Sequence, residues 1–124
     1  MKLFTFTDNL EIVEGAISVD AEIATIPESE GGRHGPFTKG FRPNHNFGDE
    51  TNRSFFIGQI EVEPDEWVYP GDTKNLSVTF LGAAGLRELL TIDRVWRIQE
   101  GPKLIGTGRV LSVSPRKTAP NKAE

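Results

Sequence analysis

Residues 31–43 read GGRHGPFTKGFRP, a stretch that combines glycine, proline and four basic side chains with two phenylalanines. Proline cannot donate a backbone hydrogen bond and glycine weakens regular structure, so this composition predicts a loop and argues against a helix or a central strand. The chain as a whole is acidic, with a formal net charge of −4. We therefore expect the loop to present a local patch of basic groups and ring edges at the surface.

The sequence on either side of this loop predicts β-structure. Apolar residues recur at every second position over 17–24, 56–63 and 76–81, and less regularly over 90–99 and 104–113. This period of two is typical of half-buried strands. Gly- and Pro-rich turns separate the runs, a pattern that indicates a sandwich or a barrel. We predict an all-β, closed six-stranded antiparallel β-barrel, because closure removes unpaired strand edges. Residues 83–90 predict one helical turn.

The chain divides into one domain and two short extensions. Its 124 residues suit a single domain, which we place at residues 15–113. Residues 1–14 predict an N-terminal arm or extra strand. Residues 114–124 hold no aliphatic side chain larger than alanine and predict a disordered tail. No apolar run is long enough to span a membrane, and Asp8 comes too early for a secretory signal, so we expect a cytoplasmic protein.

The sequence contains no recognisable catalytic or nucleotide-binding motif. It has no cysteine, no phosphate-binding loop and no nucleophile elbow. Gly106 and Gly108 lack the third glycine of a dinucleotide site, and we interpret them as strand positions where backbones cross closely in a barrel. Glu61 and Glu63 lie on the same face of a predicted strand, and we expect that face to be solvated. We expect no enzyme activity, no cofactor and no nucleotide site.

Two histidines raise the alternative of a metal site. His34 and His45 could meet Asp49 or Glu50 at one ion, but their spacing matches no standard ligand pattern. We expect instead two solvated loop imidazoles and no bound metal.

The basic loop itself has two interpretations. Its cationic side chains, interleaved with Phe37 and Phe41, could bind phosphate oxygens and stack on bases. Alternatively, the phenylalanines plug the barrel while the cations pair with the excess acid. Composition alone favours the second interpretation.

A series of motifs links the loop to the rest of the chain. In order they are EGGRHGPF at 30–37, GFRP at 40–43, YPGD at 69–72, RIQEG at 97–101 and IGTGRV at 105–110. They resemble the motifs of the third, C-terminal β-barrel domain of translation elongation factor Tu: acidic-Gly-Gly-Arg-His-x-Pro-Phe, Gly-Tyr-Arg-Pro, Met-Pro-Gly-Asp, Ala-Ile-Arg-Glu-Gly and Val-Gly-Ala-Gly-Val-Val.

The resemblance implies a six-stranded barrel that performs no reaction. In the family this domain grips the T-stem backbone of aminoacyl-tRNA, packs on the GTPase domain and the second barrel, and contacts the nucleotide-exchange partner. Arg33, His34, Glu100 and Gly101 match family positions at the T-stem surface. With the two other cations of the loop, the predicted RNA- or partner-binding residues are Arg33, His34, Lys39, Arg42, Glu100 and Gly101.

Several departures from the family leave two functions open. Asn44 stands for a glutamine, Ile57 for a threonine and Gly82 for a lysine, and the 124 residues include neither the GTPase domain nor the second barrel, so we expect a stand-alone module. It is either a translation-related binding module for tRNA or RNA, or a protein-interaction or immunity-type module that engages a translation factor or a toxin. Phe55, Ile57 and Trp67 are the exposed apolar candidates for the second function.

Overall fold

The structure is a computed structural model that describes residues 15–114. The predicted N-terminal arm and all of the predicted tail except Ser114 lie outside these residues. The elements are β1 (Ala16–Thr25), a 3₁₀ turn (Glu28–Glu30), β2 (Asn44–Asn46), β3 (Phe56–Ile60), β4 (Thr73–Leu81), α1 (Leu86–Leu89), β5 (Val95–Glu100) and β6 (Lys103–Val113).

The strands form a closed antiparallel barrel in the order β1-β4-β3-β2-β5-β6, with β6 pairing back to β1. This confirms the predicted fold class. The helical turn predicted within residues 83–90 is present as α1. The Ser114 amide donates to the Ser18 carbonyl at 2.9 Å, so the β1–β6 ladder continues one residue past the predicted end of the barrel.

The sixth strand of the barrel comes from an unexpected segment. β2 has only three residues, which is too short for an alternation of apolar and polar residues to reveal it. It nevertheless bridges β3 and β5, because Asn44 pairs with Ile57 on one side and Gln99 on the other. The barrel therefore closes within residues 15–114.

The irregular stretch at 90–99 contains a turn before its strand. Asp93 has φ +70°, the left-handed conformation, and its amide donates to the Val110 carbonyl at 2.8 Å. Ile92 lies at this turn and is exposed, so it does not share the buried face of Trp96 and Ile98. β5 begins only at Val95.

The barrel interior is filled from alternate positions of the long strands. Ile17, Val19, Ala21 and Ile23 of β1 are all buried, as are Val78 and Phe80 of β4, Trp96 and Ile98 of β5, and Ile105 and Val110 of β6. Burying these side chains supplies the main driving force for folding. The period of two in the sequence is thus the inward face of the barrel.

An imidazole lies at the centre of this interior, and our expectation of a solvated His45 was wrong. His45 of β2 is 0% exposed. Its Nδ1 accepts a hydrogen bond from Trp96 Nε1 at 2.9 Å, and its Nε2 lies 3.0 Å from the Gly58 carbonyl oxygen. Indole nitrogen only donates and a carbonyl only accepts, so the imidazole is neutral with its proton on Nε2. Burial lowers the pKa of His45 from 6.5 to about 4.

Glycines make room for the large side chains around this imidazole. A Cβ at Gly108 would stand 2.4 Å from the Trp96 ring, and one at Gly58 would stand 2.9 Å from Phe80. A Cβ at Gly106 would stand 2.6 Å from the Ala24 carbonyl oxygen. The interpretation of a close backbone crossing is confirmed at Gly106, whereas the close neighbour of Gly108 is the Trp96 ring and not a backbone.

The buried imidazole predicts acid-sensitive stability. The pKa of His45 is lower in the folded chain than in the unfolded one, so the unfolded state takes up more protons and stability falls as the pH drops from about 6.5 to about 4. The loss amounts to about 3 kcal/mol. Urea denaturation across this range should show a shallower pH dependence for His45→Gln than for the unchanged protein. His34→Gln is the matched control and should keep the steep dependence; an equally steep profile for His45→Gln would contradict this account.

The glycine positions predict a second stability effect. We expect Gly108→Ala to destabilise the fold by about 1–3 kcal/mol, because the new methyl group overlaps the hydrogen-bonded Trp96 ring. Gly35→Ala is the control, since a Cβ there would meet nothing within 4 Å. Thermal denaturation of both variants measures the difference, and equal midpoints would refute it.

Candidate functional site

The loop of residues 31–43 begins on a backbone that requires glycine. Gly31 follows the 3₁₀ turn with φ +99°, and the Gly32 amide donates to the Pro27 carbonyl at 2.9 Å. A Cβ at Gly32 would stand 1.9 Å from the Ile26 carbonyl oxygen. The glycine pair therefore sets the direction in which the following arginine leaves the barrel.

The two phenylalanines of the loop fix it to the barrel. Phe37 forms an isolated antiparallel bridge with Val68, with N–H···O distances of 3.0 and 2.9 Å, and its side chain is buried in the core. The Phe41 ring stacks on it with centroids 4.2 Å apart. The structure thus has the arrangement of the second interpretation above, in which the rings plug the barrel.

Arg33 joins the loop to the hairpin between β5 and β6. Its Nε lies 3.1 and 3.2 Å from the two carboxylate oxygens of Glu100, and its Nη1 donates to the carbonyls of Gly35 and Pro36 at 3.0 and 2.9 Å. The guanidinium also lies over the Phe41 ring, 4.9 Å from its centroid. Three of its five N–H groups are thereby engaged within the molecule, and Glu100 balances its charge.

The remaining cations of the predicted site are more exposed. His34 Nδ1 lies 3.1 Å from Glu28 Oε2, Lys39 is exposed, and Arg42 Nε donates to Gln59 Oε1 at 2.9 Å. Gln59 in turn donates to Glu61 at 3.0 Å. Side chains of β3 and of the 3₁₀ turn therefore hold two of these three basic groups.

The loop and the hairpin border an open depression of about 220 Å³. It brings together three of the six predicted residues, Arg42, Glu100 and Gly101, and Arg33 reaches the same place through its ion pair with Glu100. We call this the loop–hairpin surface. Its lining residues are Phe41, Arg42, Pro43, Asn44, Gln99, Glu100 and Gly101. His34 is bonded away from it, to Glu28.

A buried amide network supports this surface from below, and sequence reasoning missed it. Gln99 donates to the Gly101 carbonyl at 3.0 Å and accepts from Asn46 Nδ2 at 2.7 Å. Asn46 Oδ1 then accepts from Asn52 at 2.7 Å and from the Gly48 amide at 2.8 Å. The network ties the hairpin to the loop that follows β2. The available signal was an uninterrupted run of three polar residues, Asn44, His45 and Asn46.

The alternative metal site does not form. His45 is bonded within the core, and Asp49 accepts from the Thr51 hydroxyl and amide, which lowers the pKa of its carboxyl group. Among residues 15–114 no three His, Cys, Asp or Glu side chains are placed to hold a metal ion.

No protein-family model matches the chain. Within the described part of the chain, no helix has the length and apolarity needed to cross a bilayer.

The hydrogen bonds of Arg33 predict that replacing Arg33 destabilises the protein more than replacing its ion-pair partner Glu100. Arg33→Ala leaves two carbonyls and the Phe41 ring without their partner, and we expect it to cost about 2 kcal/mol of stability. Glu100→Gln removes only a partly exposed charge, with side chains 26% and 39% exposed, and should cost less than about 1 kcal/mol. Arg53→Ala, an exposed arginine with long bonds to backbone carbonyls of its own loop, is the control. Equal effects of the two substitutions in urea denaturation would contradict this division.

Proposed function

We propose that this barrel is a non-enzymatic binding module whose loop–hairpin surface docks on a protein partner. The proposal builds on the resemblance to the third domain of elongation factor Tu, and it assigns the partner to the translation machinery. The observation that carries it is the bonding of Arg33, because a cation engaged by Glu100 and by two carbonyls contributes little to attracting a phosphate backbone.

The charges of the surface support a protein partner over RNA. Salt-dependent affinity for nucleic acid grows with the number of phosphates that are neutralised. Here Glu28 lies next to His34, and Glu100 lies next to Arg33. Glu61 is separated from Arg42 by one side chain. A surface of alternating sign favours specific orientation of a protein over general attraction to an anion.

The departures from the family also point to a protein. Asn44 and Ile57, which replace a glutamine and a threonine of the resembling domain, face each other across β2 and β3. Ile57 is 38% exposed. Half-exposed aliphatic groups beside polar ones are typical of docking surfaces that exclude water.

tRNA or RNA is the second candidate. Arg42 favours it, because it lines the depression together with the hairpin residues Glu100 and Gly101 that match the T-stem positions of the family. Lys39 of the same loop is an exposed second cation. A partner outside translation, such as a toxin directed at the elongation factor, would use the same surface.

Two binding measurements decide between the candidates. Purified elongation factor Tu serves as the protein probe in biolayer interferometry, and bulk tRNA serves as the RNA probe in fluorescence anisotropy at about 50 and 200 mM salt. We expect the protein complex to weaken at least about tenfold in Ile57→Asp and Arg42→Ala. Arg87→Ala is the control. Arg87 lies in α1, which comes before the first residue of β5, whereas Glu100 is the last residue of that strand.

The opposite pattern would overturn the proposal. It would consist of tRNA binding that falls steeply with salt, is lost in a Lys39→Ala, Arg42→Ala double variant and is unchanged in Ile57→Asp. Absence of binding to both probes would also count against a translation-related partner.

A further inference from the structure

A second surface of the barrel carries two exposed aromatic rings. Trp67 and Tyr69 are 47% and 54% exposed, while Val68 between them is 1% exposed and pairs with Phe37. Side chains alternate in extended backbone, so the two rings face away from the core on the same side of their segment. Among residues 15–114 neither ring stacks on another aromatic ring.

The backbone that carries these rings is held firmly. The Tyr69 amide donates to Asp72 Oδ2 at 2.8 Å, and its carbonyl accepts from the Asp72 amide at 2.9 Å and from Thr25 Oγ1 at 3.0 Å. The hydroxyl of Thr38 donates to the Glu66 carbonyl. A ligand that binds to these rings therefore pays little entropy for ordering the segment.

Exposed carboxylates lie in the segments next to the two rings. The turn just before Trp67 exposes Glu63, Asp65 and Glu66. The 3₁₀ turn adds Glu28 and Glu30, and it lies nearby because Pro27 packs against Gly71. We call this region, with Trp67 and Tyr69, the acidic aromatic surface.

Two cations border the acidic aromatic surface. They are Lys74, whose Nζ lies 3.4 Å from the Trp67 carbonyl oxygen, and Lys39, the residue after Thr38. The one imidazole of this region, His34, is bonded to Glu28. Even with these groups, carboxylates outnumber cations here.

We propose that the acidic aromatic surface binds a lysine- and arginine-rich segment of a partner protein. A guanidinium or ammonium group lies favourably over an indole or phenol face, and nearby carboxylates add charge attraction and hydrogen-bond acceptors. Exposed tryptophan and tyrosine are also the side chains that most often dominate binding energy at interfaces.

The same chemistry argues against other occupants. Nucleic acid and anionic lipid headgroups would be repelled by the carboxylates. Two copies of the chain joined symmetrically through this surface would bring the same acidic rims together. The inference does not depend on the loop–hairpin surface, so either proposal can fail without the other.

The test uses a fluorescein-labelled peptide of about ten residues in which arginine alternates with glycine and leucine, titrated with the full chain in an anisotropy assay. Two further peptides replace every arginine by lysine or by glutamate. We expect the arginine peptide to bind, the lysine peptide to bind a few-fold more weakly and the glutamate peptide not to bind. Binding should weaken as salt rises.

Matched variants separate the rings from the charges. Replacing both rings, with Trp67→Ala and Tyr69→Ala, should weaken binding about tenfold. Ile92→Ala with Val95→Ala is the control, because both side chains are exposed and apolar. Glu63→Gln with Glu66→Gln should weaken binding as well, whereas Glu88→Gln, on α1, should not. Circular dichroism establishes that each variant is folded.

Three results would overturn the inference. The first is no binding of the arginine peptide at low salt. The second is binding that survives loss of both rings, which would indicate general charge attraction. The third is concentration-dependent dimerisation in analytical ultracentrifugation that disappears with the rings, which would assign the surface to a second copy of the chain.

Discussion

The hydrogen-bonded imidazole of His45 is the constraint on which the rest of the barrel depends. β2 is three residues long, so its backbone contributes few hydrogen bonds to the barrel. The His45 side chain accepts from Trp96 of β5 and donates to the carbonyl of Gly58 in β3, so one ring ties together the two strands that β2 must bridge. Because the imidazole has two polar atoms and both are hydrogen-bonded, its burial leaves no unsatisfied group.

The small residues of the barrel follow from the size of this central cluster. The Phe47 and Trp96 rings stack with centroids 5.3 Å apart, and the Phe80 ring meets the imidazole edge to face at 4.9 Å. A barrel of six strands encloses little space. The strand positions that face these rings are therefore glycines, Gly58 and Gly108. β2 also connects the core to the surface hairpin. Its residue Asn46 is hydrogen-bonded to Gln99, and Gln99 is hydrogen-bonded to the Gly101 carbonyl in the hairpin.

Both surfaces considered for binding are attached to this core by short connections. Phe37 pairs with Val68, which places the loop–hairpin surface and the acidic aromatic surface on either side of one β-bridge. The first mixes charges of both signs around Arg33 and Glu100. The second concentrates carboxylates around two rings. The two surfaces therefore differ in charge, and the two proposals assign them partners of different chemistry.

The amino-acid sequence determined the barrel and most of its strands, because alternation of apolar and polar residues reports directly which side of a strand is buried. It also indicated the close backbone approach at Gly106. The tertiary structure alone decided where His45, Asn46 and Gln99 lie, since polar residues in a short strand carry no periodic signal and their burial depends on partners up to 53 residues away. It also decided the hydrogen-bond partners of Arg33. Whether an arginine attracts a ligand or secures its own loop depends on the position of Glu100, 67 residues along the chain, and only folding sets that distance.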